Sequence, residues 1–192
     1  CGKSSLLNAL WAQHGLAPCS KRPGRTQTFD LYGIMAEHGA TPRASLASMR
    51  VLDVPGYGFA RAPRGVVADW HAKLAVYLQE RGAGLLARAY VLLDARRGVT
   101  AHDEEILDVL DNSACTYQLV LTKADTLGPT RLSQAIRDVQ QCVGDQSRHV
   151  GCFPAIHIVS AAKSFGLREL RASIAATLQF IEPPGGTCKL ME

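Results

Sequence analysis

The sequence predicts an α/β fold: a mostly parallel sheet, covered by helices on both faces. Three observations lead there. Short apolar runs alternate with helix-patterned runs of a dozen or so residues. The run Ala89 to Leu93 is apolar throughout, as in a strand buried on both faces. Polar tetrapeptides rich in Gly, Asp or Lys follow the strand-like runs, and the carboxyl ends of parallel strands are where such sheets bind ligands.

The elements follow in chain order. Leu6, Leu7, Leu10 and His14 recur at helical spacing, with Gly15 as a stop and Pro18 beyond. Residues 16–27 carry Pro, Gly, Ser and basic side chains and read as a loop. Two strands are expected around 28–36 and 48–53, joined through the polar stretch Glu37 to Ser45 as a long hairpin. This hairpin supplies the one antiparallel strand. Gly and Pro dominate 55–65, so a mobile loop is expected there. A helix from Val66 to Arg81 puts Trp70, Leu74, Tyr77 and Leu78 on one face. The Ala89 strand ends at Asp94. A helix over Ala101 to Leu110 has acids in its first turn, where the helix dipole favours them. A strand over 117–121 runs into Thr122, a helix covers Thr130 to Val143, and a strand over Ala155 to Val159 ends at Ser160. A last helix spans Leu167 to Phe180. The division expected is one domain over 1–182 and a loose tail over 183–192, which contains Pro-Pro-Gly-Gly.

Composition narrows the function classes. The 192 residues are 47% apolar and 20% charged, and the net charge is +4. That is a globular balance, with a mild basic excess that permits a polyanionic partner. No apolar run reaches the ~18–20 residues of a spanning helix, so no membrane partner is expected. Cysteines stand at 1, 19, 115, 142, 152 and 188, with no C-x-x-C pair. Reduced thiols are expected, in the cytoplasm or an organelle matrix.

Four motifs carry chemistry. Cys1-Gly2-Lys3-Ser4-Ser5 runs into the first helix and is the back half of G-x-x-x-x-G-K-[ST]. Backbone N–H groups at a helix N-terminus cradle phosphate, Lys3 would reach the β- and γ-phosphates, and the Ser4 hydroxyl would ligate Mg²⁺. Asp53-Val54-Pro55-Gly56 has the D-x-x-G form. Asp53 would hold the Mg²⁺ hydration shell, and the Gly56 N–H would meet a γ-phosphate. Thr122-Lys123-Ala124-Asp125 ends another strand. The Asp125 carboxylate can accept from the N1–H and N2 amino group of guanine, while adenine offers it an acceptor, and the Lys123 stem can lie along the base plane. Val159-Ser160-Ala161-Ala162-Lys163 follows the next strand, where turn N–H groups can reach guanine O6. The gaps are 50 residues from Lys3 to Asp53, 72 to Asp125 and 35 to Ser160. Order and spacing together suit a three-layer P-loop NTPase G domain, for which GTP and GDP are the expected nucleotides.

The sequence also resembles the EngB (YihA) GTPases of the Era-like, translation-factor-related class. Ser20-Lys21-Arg22-Pro23-Gly24-Arg25-Thr26-Gln27 is similar to that family's S-K-T-P-G-R-T-Q loop, with Arg22 in place of Thr. Asp53 to Ala60 is similar to D-L-P-G-Y-G-Y/F-A. Trp70, Leu74, Tyr77, Leu78 and Arg81 match a W-x₃-L-x₂-Y-L-x₂-R helix, and Asp94, Arg96, Gly98 and Asp103 match D-x-R-x-G-x₄-D. Thr122 is the family's own variant. The resemblance implies that Thr26, within the nucleotide-binding segment Gly24-Arg25-Thr26-Gln27-Thr28, is a second Mg²⁺ ligand in the triphosphate state. It also implies a partner, a ribosomal large-subunit precursor of rRNA and protein, a role in assembling that subunit, and in bacterial relatives a link to septation. A monomer is expected.

Tyr57 stands where many small GTPases place a water-orienting glutamine, so slow hydrolysis is expected. No catalytic residue is assigned, and Arg25 and Arg61 are read as solvated loop arginines in preference to catalytic fingers. Because the chain opens at Cys1, the strand leading into the phosphate loop and that loop's front glycine are expected to lie outside it. A slot in mid-sheet, or a non-native closure across it, should result. Two other readings of the motif set are a degenerate G domain serving as an RNA-binding scaffold, and an ATP-using P-loop small-molecule kinase.

Overall fold

The computed structural model describes residues 2–12, 15–17, 30–35, 48–54, 72–80, 86–144 and 147–179. Its elements, in chain order, are α1 (Lys3–Leu10), β1 (Asp30–Met35), β2 (Ser48–Asp53), α2 (72–80), β3 (Ala89–Asp94), α3 (Ala101–Asn112), β4 (Tyr117–Thr122), α4 (Pro129–Cys142), β5 (Cys152–Ile158) and α5 (Leu167–Gln179). A one-turn 3₁₀ helix, Ala124–Thr126, follows β4. Trp70, Arg81, Phe180 and the 183–192 tail lie outside the described residues.

β3, β4 and β5 form a parallel sheet in that order. All six residues of β4 are buried, the polar Gln118 and Thr122 included. Side chains nevertheless leave by turns to two different cores. Tyr117, Leu119 and Leu121 join Val91 and Leu93 of β3 against Leu74 and Leu78 of α2, Ile106 and Leu110 of α3, and Val139 of α4. Val120 points the other way, to Leu6 and Leu10 of α1 and Leu167 and Leu170 of α5. Helices therefore cover both faces, as expected.

β1 and β2 form the expected antiparallel hairpin, with Asp30 opposite Asp53 and Met35 opposite Ser48. It is a separate sheet. Among the described residues no ladder joins β2 to β3.

Element boundaries differ from the sequence reading in α1, β5 and α3, and α4 is shifted one residue towards the amino end, to Pro129–Cys142. The first helix stops at Leu10, short of His14, and Ala12 is left-handed at φ 50°. The cause lies 161 residues away: Arg171 of α5 donates from Nε to the Leu10 carbonyl (2.6 Å) and from Nη2 to the Ala9 carbonyl (3.0 Å). A guanidinium at a helix C-terminus meets both the unpaired carbonyls and the dipole. The strand expected over Ala155 to Val159 instead begins at Cys152 and ends at Ile158. It holds Pro154, which is tolerated because, among the described residues, β5 pairs on one side only. Its register against β4 shifts between Gln118 and Val120. α3 runs two residues past Leu110, and a reciprocal cap starts it. Thr100 N–H donates to Asp103 Oδ2 at 2.8 Å while Asp103 N–H reaches back to the Thr100 hydroxyl.

The amino end of β4 is fixed by a buried polar knot. The Tyr117 hydroxyl donates to Asp111 Oδ2 at 2.7 Å, His149 Nδ1 lies 3.1 Å from both, and Gly151 N–H donates to Asp111 Oδ1. Burial, with Asp111 alongside, drives the Tyr117 phenol far above its ordinary pKa. Burial, Asp111 and Cys142 push the Cys152 thiol up to about 11. Cys115, Cys142 and Cys152 are free thiols.

At the opposite end Gly166 closes the turn after β5. Its φ is +69°, and a Cβ there would stand 2.1 Å from the Ile158 carbonyl oxygen. Gly166→Ala is expected to cost at least about 2 kcal/mol of unfolding free energy, because a left-handed backbone and a hard main-chain clash coincide. Urea denaturation of the two proteins measures it.

Candidate functional site

The site is built where the carboxyl ends of the parallel strands meet the start of α1. Register fixes this arrangement: Asp94, last in β3, pairs with Thr122, last in β4. The two polar ends are therefore level, and the segments leaving β3 and β4 emerge on one side of the sheet.

Gly2 caps α1 with φ 86° and ψ 32°, a left-handed conformation natural to glycine. Lys3 is the first helical residue. Its ammonium pairs with Asp53 Oδ1, at the end of β2. The Asp53 side chain is 4% exposed and that of Lys3 21%, so the pair is largely screened from water. Two motifs 50 residues apart are thereby brought into contact. Ser4 lies in the first turn of α1 and is half-buried, while Ser5 is exposed. Val54 packs against the larger core, which holds the segment leaving Asp53.

The tetrapeptide Thr122-Lys123-Ala124-Asp125 is tied to β3 and the segment leaving it at three points. The Thr122 hydroxyl donates to the Leu93 carbonyl at 3.0 Å, and Ala95 N–H donates to the Thr122 carbonyl at 3.0 Å. Lys123 Nζ donates to Asp94 Oδ2 at 2.9 Å. Lys123 is left-handed, at φ 60° and ψ 33°, an unusual place for a lysine. Its stem passes the phosphate motif, since a Cβ on Gly2 would lie 3.5 Å from Lys123 Cε. Ala124 is buried and donates its N–H to the Val159 carbonyl at 3.2 Å, joining the loop to the end of β5. Asp125 comes next, in the 3₁₀ turn, and is exposed.

Asp94 is the centre of this corner. Arg96 grips it with Nε on Oδ1 at 2.9 Å and Nη2 on Oδ2 at 2.7 Å, and the Arg96 N–H adds a third contact at 3.1 Å. Burial opposes ionisation, but the Arg96 and Lys123 hydrogen bonds outweigh it and hold the carboxyl well below the usual carboxylate range. In the sequence, Asp94 and Arg96 stand out only as part of the D-x-R-x-G-x₄-D segment, and their tie to Lys123 has no local signal.

The turn after β5 is narrower in its options than the sequence indicates. Val159 N–H is bonded to the Leu121 carbonyl, Ser160 N–H to the Phe165 carbonyl, and Lys163 N–H to the Ser160 hydroxyl. Ser160 is fully buried. Of the residues expected to face guanine O6, Ala161 and Ala162 are the ones whose amides none of these bonds occupies.

Cys1, Gly24, Arg25, Thr26, Gln27, Thr28, Pro55 and Gly56 lie outside the described residues, as do Tyr57 and Arg61. Among the described residues no three His, Cys, Asp or Glu side chains cluster to hold a metal. A cation here would take hydroxyl and carboxylate oxygens singly and complete its shell from phosphate and water, which is the habit of Mg²⁺. Ser4 and Asp53 fit that donor set.

Comparison with known proteins agrees with this geometry. Residues 1–123 match the family described as 50S ribosome-binding GTPase. The chain is 41% identical over 181 residues to the probable GTP-binding protein EngB of Brucella melitensis, covering 93% of this chain and 71% of that one. It is 41% identical over 177 residues to the same protein of Bartonella tribocorum, covering 92% and 79%. Among solved structures, a probable GTP-binding protein engB superposes with a TM-score of 0.62 at 17% identity, covering 93% of both chains. Elongation factor SelB of Methanococcus maripaludis, solved with the GTP analogue GppNHp, gives 0.64 at 20% identity, over 95% of this chain and 32% of that one. The structural likenesses show the P-loop GTPase G-domain fold.

The depressed Asp94 pKa has a pH signature. Its folded value lies below its unfolded one, so its contribution to stability is full above the ordinary carboxylate pKa of about 3.9 and fades as pH falls through the folded value. Asp94→Asn should therefore destabilise the protein at neutral pH, and the gap from the parent should narrow below about pH 4. Denaturation curves at several pH values read it.

Proposed function

The chain belongs to the EngB family of GTP-binding proteins, and from that premise we propose a GTPase switch that acts in assembly of the large ribosomal subunit. The observation that carries the nucleotide reading is how near the Lys123 stem runs to Gly2, where an added Cβ would lie 3.5 Å from Lys123 Cε. It sets the phosphate-binding helix start beside the base-reading loop, at a separation fixed by the fold.

In this reading the Gly2–Ser5 segment receives the phosphates on backbone N–H groups. Lys3 exchanges its Asp53 partner for β- and γ-phosphate oxygens. Asp125 accepts from N1–H and the N2 amino group of guanine, Lys123 lies along the base, and the Ala161 amide donates to O6. Ser4 and, in the triphosphate state, Thr26 ligate Mg²⁺, with Asp53 holding its hydration shell. When bound, the cation neutralises charge developing on the phosphate oxygens. Gly24 to Thr28 and Asp53 to Gly56 distinguish GTP from GDP. With Tyr57 after the D-x-x-G segment, unassisted turnover is on the order of 10⁻⁴ s⁻¹ or below. The missing group is supplied by a ribosomal partner or a monovalent cation.

The partner reading is supported by the description of the matching family, 50S ribosome-binding GTPase, and by the net charge of +4. We place the protein, as a monomer of one G domain over 1–182, in the cytoplasm or an organelle matrix. No described helix is long and apolar enough to cross a membrane.

Two experiments test this. The full-length protein should bind GDP and GTP far more tightly than ATP, and Asp125→Asn should move preference to xanthine nucleotides, since an amide can donate to the added O2. Equal ATP and GTP affinity contradicts the reading. Separately, co-sedimentation with large-subunit precursors should require GTP and weaken with salt, because contacts to RNA phosphate release counterions. Binding indifferent to both nucleotide and salt contradicts the partner assignment.

A further inference from the structure

We propose that Asp94 is a positioning residue for guanine recognition, braced by Arg96: it aims Asp125 by anchoring Lys123. The inference rests on the guanine reading above and adds residues that lie in none of the four nucleotide motifs.

The backbone around Asp125 sets the requirement. Asp125 is exposed and sits in a single 3₁₀ turn. A turn that short cannot orient its own side chains, so the direction of the Asp125 carboxylate is inherited from the residue before the turn. That residue is Lys123, held at φ 60°, where a non-glycine residue stays only if its surroundings hold it. Thr122, one residue earlier, is secured on both its hydroxyl and its carbonyl to β3 and the segment leaving it. Ala124, one residue later, is secured to Val159. Lys123 itself has a long side chain, 36% exposed, and its ammonium is anchored on Asp94 Oδ2.

Asp94 is suited to this task. It sits at the rigid end of β3 with a 6% exposed side chain, and the planar fork of Arg96 fixes both its oxygens. A carboxylate held by a bidentate guanidinium has little rotational freedom left. The ammonium therefore docks at a fixed point, and the Lys123 stem is stretched past Gly2. Asp94→Asn keeps the shape but replaces one acceptor oxygen with an amide donor that faces a cation. Lys123 is then released, and Asp125 loses its aim.

A misdirected carboxylate does not lose all nucleotide affinity evenly. Guanine offers it two donors, N1–H and the N2 amino group. Hypoxanthine offers N1–H alone. Losing alignment should therefore weaken GDP much more than IDP, whereas general destabilisation of the fold weakens both alike.

The experiment uses the full-length protein and measures GDP and IDP affinity by competition with a fluorescent GDP. Asp94→Asn should weaken GDP by about tenfold, the scale of one charge-assisted hydrogen bond, and bring the GDP-to-IDP ratio towards unity. Arg96→Lys, which keeps a charge but loses the fork, should give an intermediate ratio and reports the same quantity if Asp94→Asn folds poorly. Ratios unchanged from the parent in both variants overturn the positioning role. Asp125→Asn is run in parallel: if it fails to gain xanthine nucleotides, the guanine reading itself is at fault. A normal Asp125→Asn response with unchanged ratios in the other two overturns the positioning role alone.

Discussion

The parallel register of β3 against β4 is the constraint on which the site depends. With Asp94 level with Thr122, the last carbonyl groups and side chains of one strand reach the first residues beyond the other. A slip of one residue would send Lys123 to the opposite face of the sheet. The register is held from both ends. At the amino end, the Asp111–Tyr117–His149 knot ties β4 to α3 and to the segment entering β5. At the carboxyl end, Thr122 and Ala95 complete the ladder with side-chain and main-chain bonds. Between them, six consecutive buried residues make β4 an element that both cores share.

Much of this was legible in the sequence because it is written locally. The run Ala89 to Leu93 reads as a strand by its lack of alternation, and the strands read around 28–36 and 48–53, observed at 30–35 and 48–53, flank a polar spacer. The phosphate and base motifs each arise from a few adjacent residues, and their order points to the fold class. The illegible part depends on partners far away in the chain. α1 ends early because of Arg171, and nothing near Leu10 says so. β5 starts at Cys152 despite Pro154, because pairing on one side frees the proline from donating. In the sequence the Ser160 amide is available to a ligand, yet in the fold the Phe165 carbonyl takes it. Periodicity could not show that Asp94 would be shared by Lys123 and Arg96, because the contact spans 29 positions on one side and two on the other.

The two helical layers do different work around the site. The layer formed by α2, α3 and α4 supplies bulk: its core is the larger and includes Leu74, Leu107 and Val139. The layer formed by α1 and α5 is smaller but carries the phosphate motif at its tip. Asn8 in α1 also binds the chain at Ala17 through both its amide nitrogen and its oxygen, at 2.9 and 2.7 Å. The helix that opens at Gly2 is thus held along its length by Arg171, Asn8 and the apolar contacts of Leu6 and Leu10. Its first turn is a fixed platform, suited to presenting backbone amides.

The ion pair between Lys3 and Asp53 has a consequence for how an anion arrives. A lone lysine at a helix start would draw in any phosphate or sulfate in the surroundings, from a distance set by the ionic atmosphere. Here the ammonium already faces a carboxylate, so the pair looks nearly neutral from afar. Simple anions gain little by approaching, since they must displace Asp53 and offer nothing to it in return. A polyphosphate accompanied by a divalent cation offers each member of the pair a new partner at once. On the proposed nucleotide reading, the pair thereby favours an anion that arrives with a cation over one that arrives alone.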